Sequence, residues 1–413
     1  MERQYKDSGI EWIGKIPETW EVDIAKHAFK QRREKGNDVE CQLLAATQKN
    51  GMYPQHLLEG VVKVAADTDL NMFKTVHKND YVISLRSFQG GFEMSDYEGV
   101  CSPAYQVFYA TRRTANQYYK YLFKSDAFIQ EINSLTVGIR EGKNILYDDF
   151  ALLPIPIPTV DDQQHIADYL DEKCGEIDSL ISLQEQMIEN LKAYKQSVIT
   201  EAVTKGLDPN AKLVPSGIDW IGEIPEGWKV CKLKNQYTLL NGRAYSDSEL
   251  LQEGKYRILR VGNLFSSDKW YYSDMELEDN KYCEENDLLY GWSASIGPLI
   301  WKGEKVIYHY HIWKVLFYDN DLRFSYYLLD ALTHAKKRDM HGSAMQHLTK
   351  TNMDNSWIPL ISKEVQHSIA AYLDEKCADI DRLITLKQQK IESLKDYKKS
   401  VIYEAVTGKT TIE

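Results

Sequence analysis

Two short runs have the residue types that could carry chemistry. The run 138–144 (GIREGKN) resembles a phosphate-binding loop, but it is one residue short between its glycines, and Asn144 stands where Ser or Thr would bind magnesium. His309 and His311 alternate in YHYH, so on a strand they would share a face. A metal site needs at least one further ligand, and none is identifiable. The sequence therefore predicts neither a nucleotide site nor a metal site at these runs.

Acidic and sulfur-bearing residues do not form a recognisable site either. The run 171–173 (DEK) resembles a fragment of a nuclease motif, but it recurs at 374–376 in helical surroundings, which indicates solvated helix charge. The six cysteines lie far apart and form no Cys-x-x-Cys pair. We therefore expect free buried thiols rather than a disulfide framework or a structural zinc.

Composition limits the function classes. The chain has 413 residues, 43% of them hydrophobic and 27% charged, which is ordinary for a globular protein with two or three cores. No apolar run approaches a membrane span, and the first seven residues lack an apolar signal core, so we expect a cytoplasmic protein without membrane contact. The net charge of −11 argues against a nucleic-acid binder that acts alone, because affinity for phosphates comes mainly from Lys and Arg.

The elements that would position any site are duplicated. Residues 8–22 (SGIEWIGKIPETWEV) and 216–230 (SGIDWIGEIPEGWKV) are identical at 11 of 15 positions. Residues 166–204 and 369–407 match at about two-thirds of their positions, whereas the stretches around 81–110 and 288–318 do not match. The order is A–B–A′–B′, in which a scaffold has been copied and the variable part of block A has diverged.

Block B has the pattern of a long helix. It contains no proline, and its apolar residues recur at a seven-residue spacing that is typical of a coiled coil. Gln184 and Lys387 occupy the middle position of this seam. An amphipathic helix lying on a globular core is the alternative. The residues predicted to pair the helices are Leu170, Ile177, Leu191, Val198, Leu373, Ile380, Leu394 and Val401.

These blocks predict an α+β fold class. Two mixed α/β domains are separated by two long helices, which pair as an antiparallel coiled coil in a pseudo-twofold A–B–A′–B′ arrangement. The expected boundaries are 1–160 for the first domain, 161–206 for the central helix, 207–361 for the second domain and 362–413 for the C-terminal helix.

With these features, the chain resembles the specificity subunits of type I restriction–modification enzymes. The resemblance covers nearly the whole chain and lies in the paired openings, the IPIP…DDQQHIADYLDEK and IPL…EVQHSIAAYLDEK joints, and the EAVTKG and EAVTGK helix ends. Asp162 and Val365 depart from the glutamate that the family often has before glutamine. The resemblance implies that the two domains are target recognition domains, each reading one half of an asymmetric bipartite duplex DNA site.

The resemblance also implies partners. Two modification (methyltransferase) subunits would use S-adenosylmethionine to methylate adenine, and restriction (endonuclease and translocase) subunits would use ATP and magnesium to cleave DNA in host defence. The subunit itself would bind no cofactor and catalyse nothing. In agreement with this, the sequence contains no Asn-Pro-Pro-aromatic or Asp-Pro-Pro-aromatic run of the type that amino-methyltransferases use. A coiled-coil adaptor without sequence readout and a self-sufficient methyltransferase or nuclease are the alternatives.

Residues that could contact DNA lie in polar, glycine-containing runs. Arg and Lys suit guanine, Asn and Gln suit adenine, and Ser is less selective. A surface-loop role without DNA contact is the alternative for each. The candidates are Arg86, Ser87, Gln89, Arg140, Lys143 and Asn144 in the first domain, and Trp292, Ser293, Ser295, His309, His311, Gln346, His347 and Lys350 in the second.

Overall fold

The computed structural model describes residues 4–36, 42–48, 50–58, 70–85, 91–134, 145–265, 267–339 and 348–412. The chain divides into two units. The first unit contains Met1–Glu185 together with Gln389–Glu413, and the second unit contains Gln186–Gln388.

The first unit is a mixed α/β domain with short elements. Its strands are β1 (Tyr5–Asp7), β2 (Lys15–Pro17), β3 (Glu21–Ile24), β4 (Phe29–Arg32), β5 (Leu44–Thr47), β6 (Gly51–Pro54), β7 (Lys74–Val76), β8 (Tyr81–Ile83), β9 (Phe92–Met94), β10 (Gly99–Cys101), β11 (Gln106–Ala110) and β12 (Pro154–Ile157). Its helices are α1 (Asn116–Lys124), α2 (Asp126–Ser134) and α3 (Tyr147–Ala151), followed by α4 (Val160–Lys205), which continues into the second unit.

The core of the first unit lies under one antiparallel sheet. The strand order is β4-β11-β8-β9, and α1, α2 and α3 cover it with aromatic side chains. Phe29, Phe108 and Phe150 are fully buried among these rings. Separate two-stranded pairs are β1–β2, β3–β12, β5–β6 and β7–β10.

The second unit has the same kinds of element. Its strands are β13 (Leu213–Pro215), β14 (Glu223–Pro225), β15 (Lys229–Lys232), β16 (Tyr237–Asn241), β17 (Tyr256–Leu259), β18 (Tyr271–Ser273), β19 (Tyr282–Cys283), β20 (Leu288–Gly291), β21 (Gly297–Ile300), β22 (Val306–Tyr308), β23 (Ile312–Phe317) and β24 (Trp357–Leu360). Its helices are α5 (Val261–Phe265), α6 (Leu322–Asp339) and α7 (Lys350–Asp354), followed by α8 (Lys363–Val406), which continues into the first unit.

The second unit repeats the main sheet and adds a different one. Its antiparallel sheet β16-β23-β20-β21 has the same connectivity as β4-β11-β8-β9, and β13–β14 and β15–β24 repeat β1–β2 and β3–β12. Beside it lies a mixed sheet of order β18-β17-β22-β19, in which β17 and β22 run parallel. The described part of the first unit has the smaller pairs β5–β6 and β7–β10 instead. The predicted α+β class with two mixed domains is confirmed.

The long helices pair antiparallel within each unit. In the first unit, Leu170 shares a core with Val401, and further along α4 Asp178 accepts a hydrogen bond from Lys398 at 2.7 Å. The partner residue number falls as the residue number on α4 rises, which defines an antiparallel pair. The predicted antiparallel pairing of the two helices is therefore confirmed for the first unit.

The second unit pairs the other halves of the same helices. Val198 shares a core with Leu373, and Lys195 donates to Asp381 at 2.7 Å. The helix ends also pack into the domain cores, so the amphipathic-helix alternative describes these ends correctly. Leu191 and both polar seam residues, Gln184 and Lys387, are only half-buried.

Local boundaries differ from the sequence-based expectations in a few places. The aromatic-rich run 117–132 has the pattern of one helix, but the helix is broken at Ser125, whose extended backbone separates α1 from α2. The run 257–261 has the pattern of a strand, but the strand ends at Leu259, because Val261 begins α5. The strand-like run 61–64 lies outside the described residues.

Candidate functional site

The predicted DNA-contacting residues of the first unit cannot be placed. Arg86, Ser87 and Gln89 lie outside the described residues, as do Arg140, Lys143 and Asn144. The first group follows β8 and precedes β9, where the Ser84 N–H donates to the Gly91 carbonyl at 2.8 Å. These residues stay predictions.

Several candidates of the second unit lie close together. Trp292, Ser293 and Ser295 lie between β20 and β21, and His309 and His311 lie between β22 and β23. The Trp292 N–H donates to the His311 carbonyl at 3.1 Å, which joins the two connections. A cavity of about 350 Å³ is lined by members of both connections, namely Ser293, Ala294, His309 and His311. The structure therefore brings most of these predicted residues to one place.

The two histidines do not share a strand. β22 ends at Tyr308 and β23 begins at Ile312, so His309 and His311 are on the turn between them. Their ring centroids nevertheless lie 4.8 Å apart, because the turn folds them together. The turn, and not strand alternation, therefore brings the two histidines together.

His309 is held as a neutral ring. Burial, together with the neighbouring His311 and Arg260, lowers its pKa to about 4. The His311 backbone N–H donates to Nδ1 of His309 at 3.3 Å, which leaves the proton of the neutral ring on Nε2. Tyr245 stacks against the ring at 6.2 Å. His309 can therefore offer an uncharged N–H donor at neutral pH.

Trp292 is engaged inside the protein. Its ring stacks on Trp313 at 5.8 Å and meets the edge of His311 at 4.9 Å. Its indole N–H donates to the Tyr310 carbonyl at 2.9 Å. These contacts give Trp292 a role in holding the two connections in place.

The remaining candidates of the second unit lie elsewhere. Lys350 is at the start of α7 and forms an ion pair with Asp354 at 3.0 Å, and it does not line the cavity. Gln346 and His347 lie outside the described residues. The Leu348 N–H donates to the Trp292 carbonyl at 3.1 Å, so the chain that follows them reaches the β20–β21 connection.

Sequence reasoning missed part of the cavity wall. Arg260 and Asn263 from the β17–α5 region, Lys269, and Tyr271 of β18 also line it. The available signal was a pair of basic residues flanking a polar turn (RVGN…DK) directly after a strand. That signal is weak, because these residues come together only through the mixed sheet, in which β17 pairs with β18 on one side and with β22 on the other.

The long helices carry a second candidate surface made of exposed apolar side chains. In the first unit, Leu180 and Leu183 of α4 and Tyr397 of α8 are exposed. In the second unit, the exposed residues are Met187 and Tyr194 of α4 with Leu383 and Leu386 of α8. Apolar side chains that recur on an exposed helix face are typical of a protein interface.

Other kinds of site find no support within the described ranges. No three His, Cys, Asp or Glu residues converge as metal ligands there, and no helix there is long and apolar enough to cross a bilayer. Five cysteines are free and buried, which confirms the expectation for them, and Cys41 lies outside the described residues. Burial raises the pKa of the Cys101 thiol to about 12, which makes it a poor nucleophile.

Comparison with known proteins gives consistent results along the chain. The family model described as "Type I restriction modification DNA specificity domain" matches residues 24–193 and again 225–396. The MjaVIII specificity subunit of a type I restriction enzyme from Methanocaldococcus jannaschii is 24% identical over 424 residues, covering 97% of this chain and 95% of that protein. The EcoKI specificity subunit of Escherichia coli is 28% identical over 174 residues, which cover 40% of this chain and 35% of that protein.

Solved structures share the fold. A chain from a study of complex assembly and conformational transition in the type I R-M system aligns with a TM-score of 0.72 at 15% identity, over 96% of this chain and 99% of that one. The HsdS subunit from Thermoanaerobacter tengcongensis aligns with a TM-score of 0.54 at 17% identity, over 96% of this chain and 98% of that one.

Proposed function

Because this chain belongs to the type I restriction–modification DNA specificity family, we propose that its two units each read one half of an asymmetric bipartite site in duplex DNA. The DNA sequence-specificity role belongs to the family, and the division into half-sites is our inference. The observation that carries it is the contrast between a repeated main sheet and unlike additional strands. Two recognition domains that share the main sheet but differ in their additional strands suit two different half-sites.

A domain exchange tests this division. Residues 207–361 are replaced by the equivalent block of a relative with a different target, and methylated sites are mapped across the genome of cells that also express the modification subunit. We expect one half-site to change and the other to stay the same. A change in both half-sites, or in neither, would contradict independent reading. Replacement of residues 1–160 is the matched reciprocal exchange.

The partners in this proposal are two methyltransferase subunits, one at each unit. The exposed leucines of each unit supply apolar surface for a partner helix, since Leu180 and Leu183 in one unit correspond to Leu383 and Leu386 in the other. S-adenosylmethionine would be bound by these partners, and ATP and magnesium by restriction subunits. This chain would hold none of them and would carry out no catalytic step.

Native mass spectrometry tests the docking surface. Charged substitutions at Leu180 and Leu183 are expected to remove one methyltransferase subunit, and the same change at Leu383 and Leu386 the other. Ser182→Glu places a charge on a neighbouring exposed position and serves as the control. Full assembly of both leucine variants would place the docking surface elsewhere.

The helices in this proposal also set the spacer between the half-sites. Four residues inserted at equivalent positions of α4 and α8 lengthen each helix by about 6 Å. At about 3.4 Å per base pair, we expect one or two more spacer base pairs in the methylation map. The same insertion after Asp208, in the exposed connection beyond α4, is the control. An unchanged spacer would contradict this role.

The charge distribution predicts weak binding by the chain alone. Residues 1–160 carry 19 basic and 21 acidic side chains, and residues 206–361 carry 18 and 21, so neither domain has a net positive charge. The methyltransferase subunits would supply much of the electrostatic attraction to DNA. A gel-shift assay with tight, sequence-specific binding by the isolated chain would contradict this. An adaptor without sequence readout is not favoured, because the specificity model matches both halves of the chain.

A further inference from the structure

The cavity of about 350 Å³ in the second unit has an unusual charge balance. Its lining includes Arg260, Lys269 and two histidines, and none of the described lining residues carries a carboxylate. A larger cavity of about 850 Å³ in the same unit has four acidic and three basic residues in its wall. An electropositive cavity is unexpected here, because residues 206–361 carry three more acidic than basic side chains. This cavity therefore has the electrostatics of an anion site.

Both cations are held over one aromatic ring. The guanidinium carbon of Arg260 lies 5.3 Å from the centroid of Tyr271, and the ammonium of Lys269 lies 5.2 Å from it. Cation–π contact holds a side chain in place without neutralising its charge. Within the described ranges, no ion pair is formed by Arg260 or Lys269. Their positive charge thus remains available to a ligand.

Neighbouring cations of the same unit differ in this respect. Arg257, three residues earlier on β17, also lies over a ring, that of Trp270, but it forms an ion pair with Glu304 at 3.2 Å. Lys255 likewise lies over Tyr256 and forms an ion pair with Glu276. Of these four stacked cations, Arg257 and Lys255 have acidic partners, whereas Arg260 and Lys269 have none among the described residues.

Asn263 holds the segments that carry the two cations together. Its side-chain oxygen accepts from the Arg260 backbone N–H at 3.1 Å, and its amide donates to the Lys269 carbonyl at 2.9 Å. The amide also donates to the Ser267 carbonyl at 3.1 Å. One half-buried amide therefore fixes the spacing of the two basic residues before any ligand arrives.

We propose that Arg260 and Lys269 bind one backbone phosphate of the DNA half-site read by the second unit. This inference rests on the proposed function and adds the residues that anchor the domain. Two fixed cations without a counter-charge leave room for a compact dianionic or monoanionic oxygen group, and along duplex DNA that group is the phosphate. Phosphate contacts set the register of a protein on DNA and carry no sequence information themselves.

The test uses the specificity subunit assembled with its methyltransferase partner. Arg260→Ala and Lys269→Ala are compared with Arg257→Ala and Lys255→Ala, which remove stacked cations that already have acidic partners. Affinity for the cognate duplex and for duplexes with one altered half-site is measured at 50 and 200 mM salt. Thermal unfolding of each complex identifies any variant that fails to fold.

The expected result is a loss of affinity that is equal for all sequences. Loss of the one shared phosphate contact lowers the salt slope by about 0.9, so the affinity ratio between 50 and 200 mM salt shrinks about 3.5-fold when both cations are replaced, and by a smaller factor in Arg260→Ala or Lys269→Ala alone. Arg260→Lys keeps most of the affinity, since a phosphate accepts a point charge. Both control variants retain the wild-type salt slope.

Two results would overturn the proposal. Salt slopes of Arg260→Ala and Lys269→Ala that equal those of their controls would exclude a phosphate contact. A changed sequence preference in Arg260→Ala and Arg260→Lys would assign Arg260 to a base edge instead. If the wild-type complex itself shows no sequence preference, the proposed function fails. If only the variants behave like controls, the phosphate site alone fails.

Discussion

The two units show which parts of a duplicated protein are held constant and which are free to change. Gln163 in the first unit and Gln366 in the second are both buried at the start of a long helix. Gln163 accepts from the Ala115 N–H at 3.0 Å and donates to the Pro158 carbonyl at 2.9 Å. Gln366 makes the matching bonds to the Asp321 N–H at 2.8 Å and to the Ile361 carbonyl at 3.1 Å.

The same repetition extends along the helices. Tyr121 donates to Asp171 in the first unit, and Tyr327 donates to Asp374 in the second. By contrast, the mixed sheet of the second unit has no counterpart in the described part of the first. Polar bonds between domain and helix are thus retained where the helix begins, while the strands away from the helix differ. The hydrogen-bonded junction between domain and helix is therefore the part that the two units share.

One joint differs between the units. In the first, the Trp20 indole N–H donates to Asp162 at 2.9 Å and the ring is fully buried. In the second, the corresponding Trp228 is half-buried and lines a cavity of about 410 Å³ together with Val365, which cannot accept a hydrogen bond. The departure at Asp162 and Val365 therefore changes the packing of an equivalent tryptophan.

The largest effect is expected from removal of these two tryptophans. Trp20→Ala lowers the free energy of unfolding of the first unit by about 3–5 kcal/mol, because a fully buried large ring is lost. Trp228→Ala costs the second unit clearly less, since its ring is partly solvated. Urea-dependent oxidation of buried Met52 and Met353 reports the two units separately. Equal losses in both units would show that the two joints are energetically alike.

The next largest effect is expected from replacement of the buried glutamines, which tests whether they contribute equally to the stability of the two units. Gln163→Leu and Gln366→Leu each leave one backbone N–H and one backbone carbonyl without their side-chain partner, and we expect a loss of roughly 1–3 kcal/mol in the unit concerned. The same methionine oxidation assay measures both. The exposed Gln164, whose side chain donates to Asp168 on its own helix, gives the control variant Gln164→Leu. A large loss of stability in one unit alone would show that the two buried glutamines are not equivalent.

The repeated scaffold was predictable because both copies gave the same signal. The seven-residue spacing in both copies predicts the helices and their pairing, and the two matching openings contain the equivalent strands β2 and β14. The cavity was only half predictable. Ser293 and His309 come from polar runs, but Arg260 and Tyr271 reach them through the parallel pairing of β17 with β22 and the antiparallel pairing of β17 with β18. Such non-local pairing leaves no periodic trace in the sequence.

A smaller effect is expected in the pH dependence of stability, which differs between the two units. The pKa of His309 is about 4 in the folded second unit, well below the ordinary 6.5, so unfolding takes up a proton between these values. The stabilisation by the neutral ring is therefore present above pH 6.5 and is lost as the pH falls toward 4. His309→Gln removes this part of the pH dependence from Met353 oxidation and leaves that of Met52 unchanged. An unaltered Met353 profile would contradict the assignment.

The smallest effect concerns the ion pairs that join the helices. Lys195 to Asp381 and Lys398 to Asp178 have the same distance, 2.7 Å, and nearly the same exposure, with the lysines 29% and 27% accessible and the aspartates 58% and 60%. Pairs this exposed contribute about 0.2–1 kcal/mol, so Lys195→Met and Lys398→Met are each expected to lower stability by no more than that, and less at high salt. Because the two pairs match in distance and exposure, we expect the two losses in the methionine oxidation assay to match as well. A difference above about 1 kcal/mol between them would mean that the neighbouring charges, which differ between the helices, act on the pairs, and the two halves of the helical scaffold would then not be interchangeable.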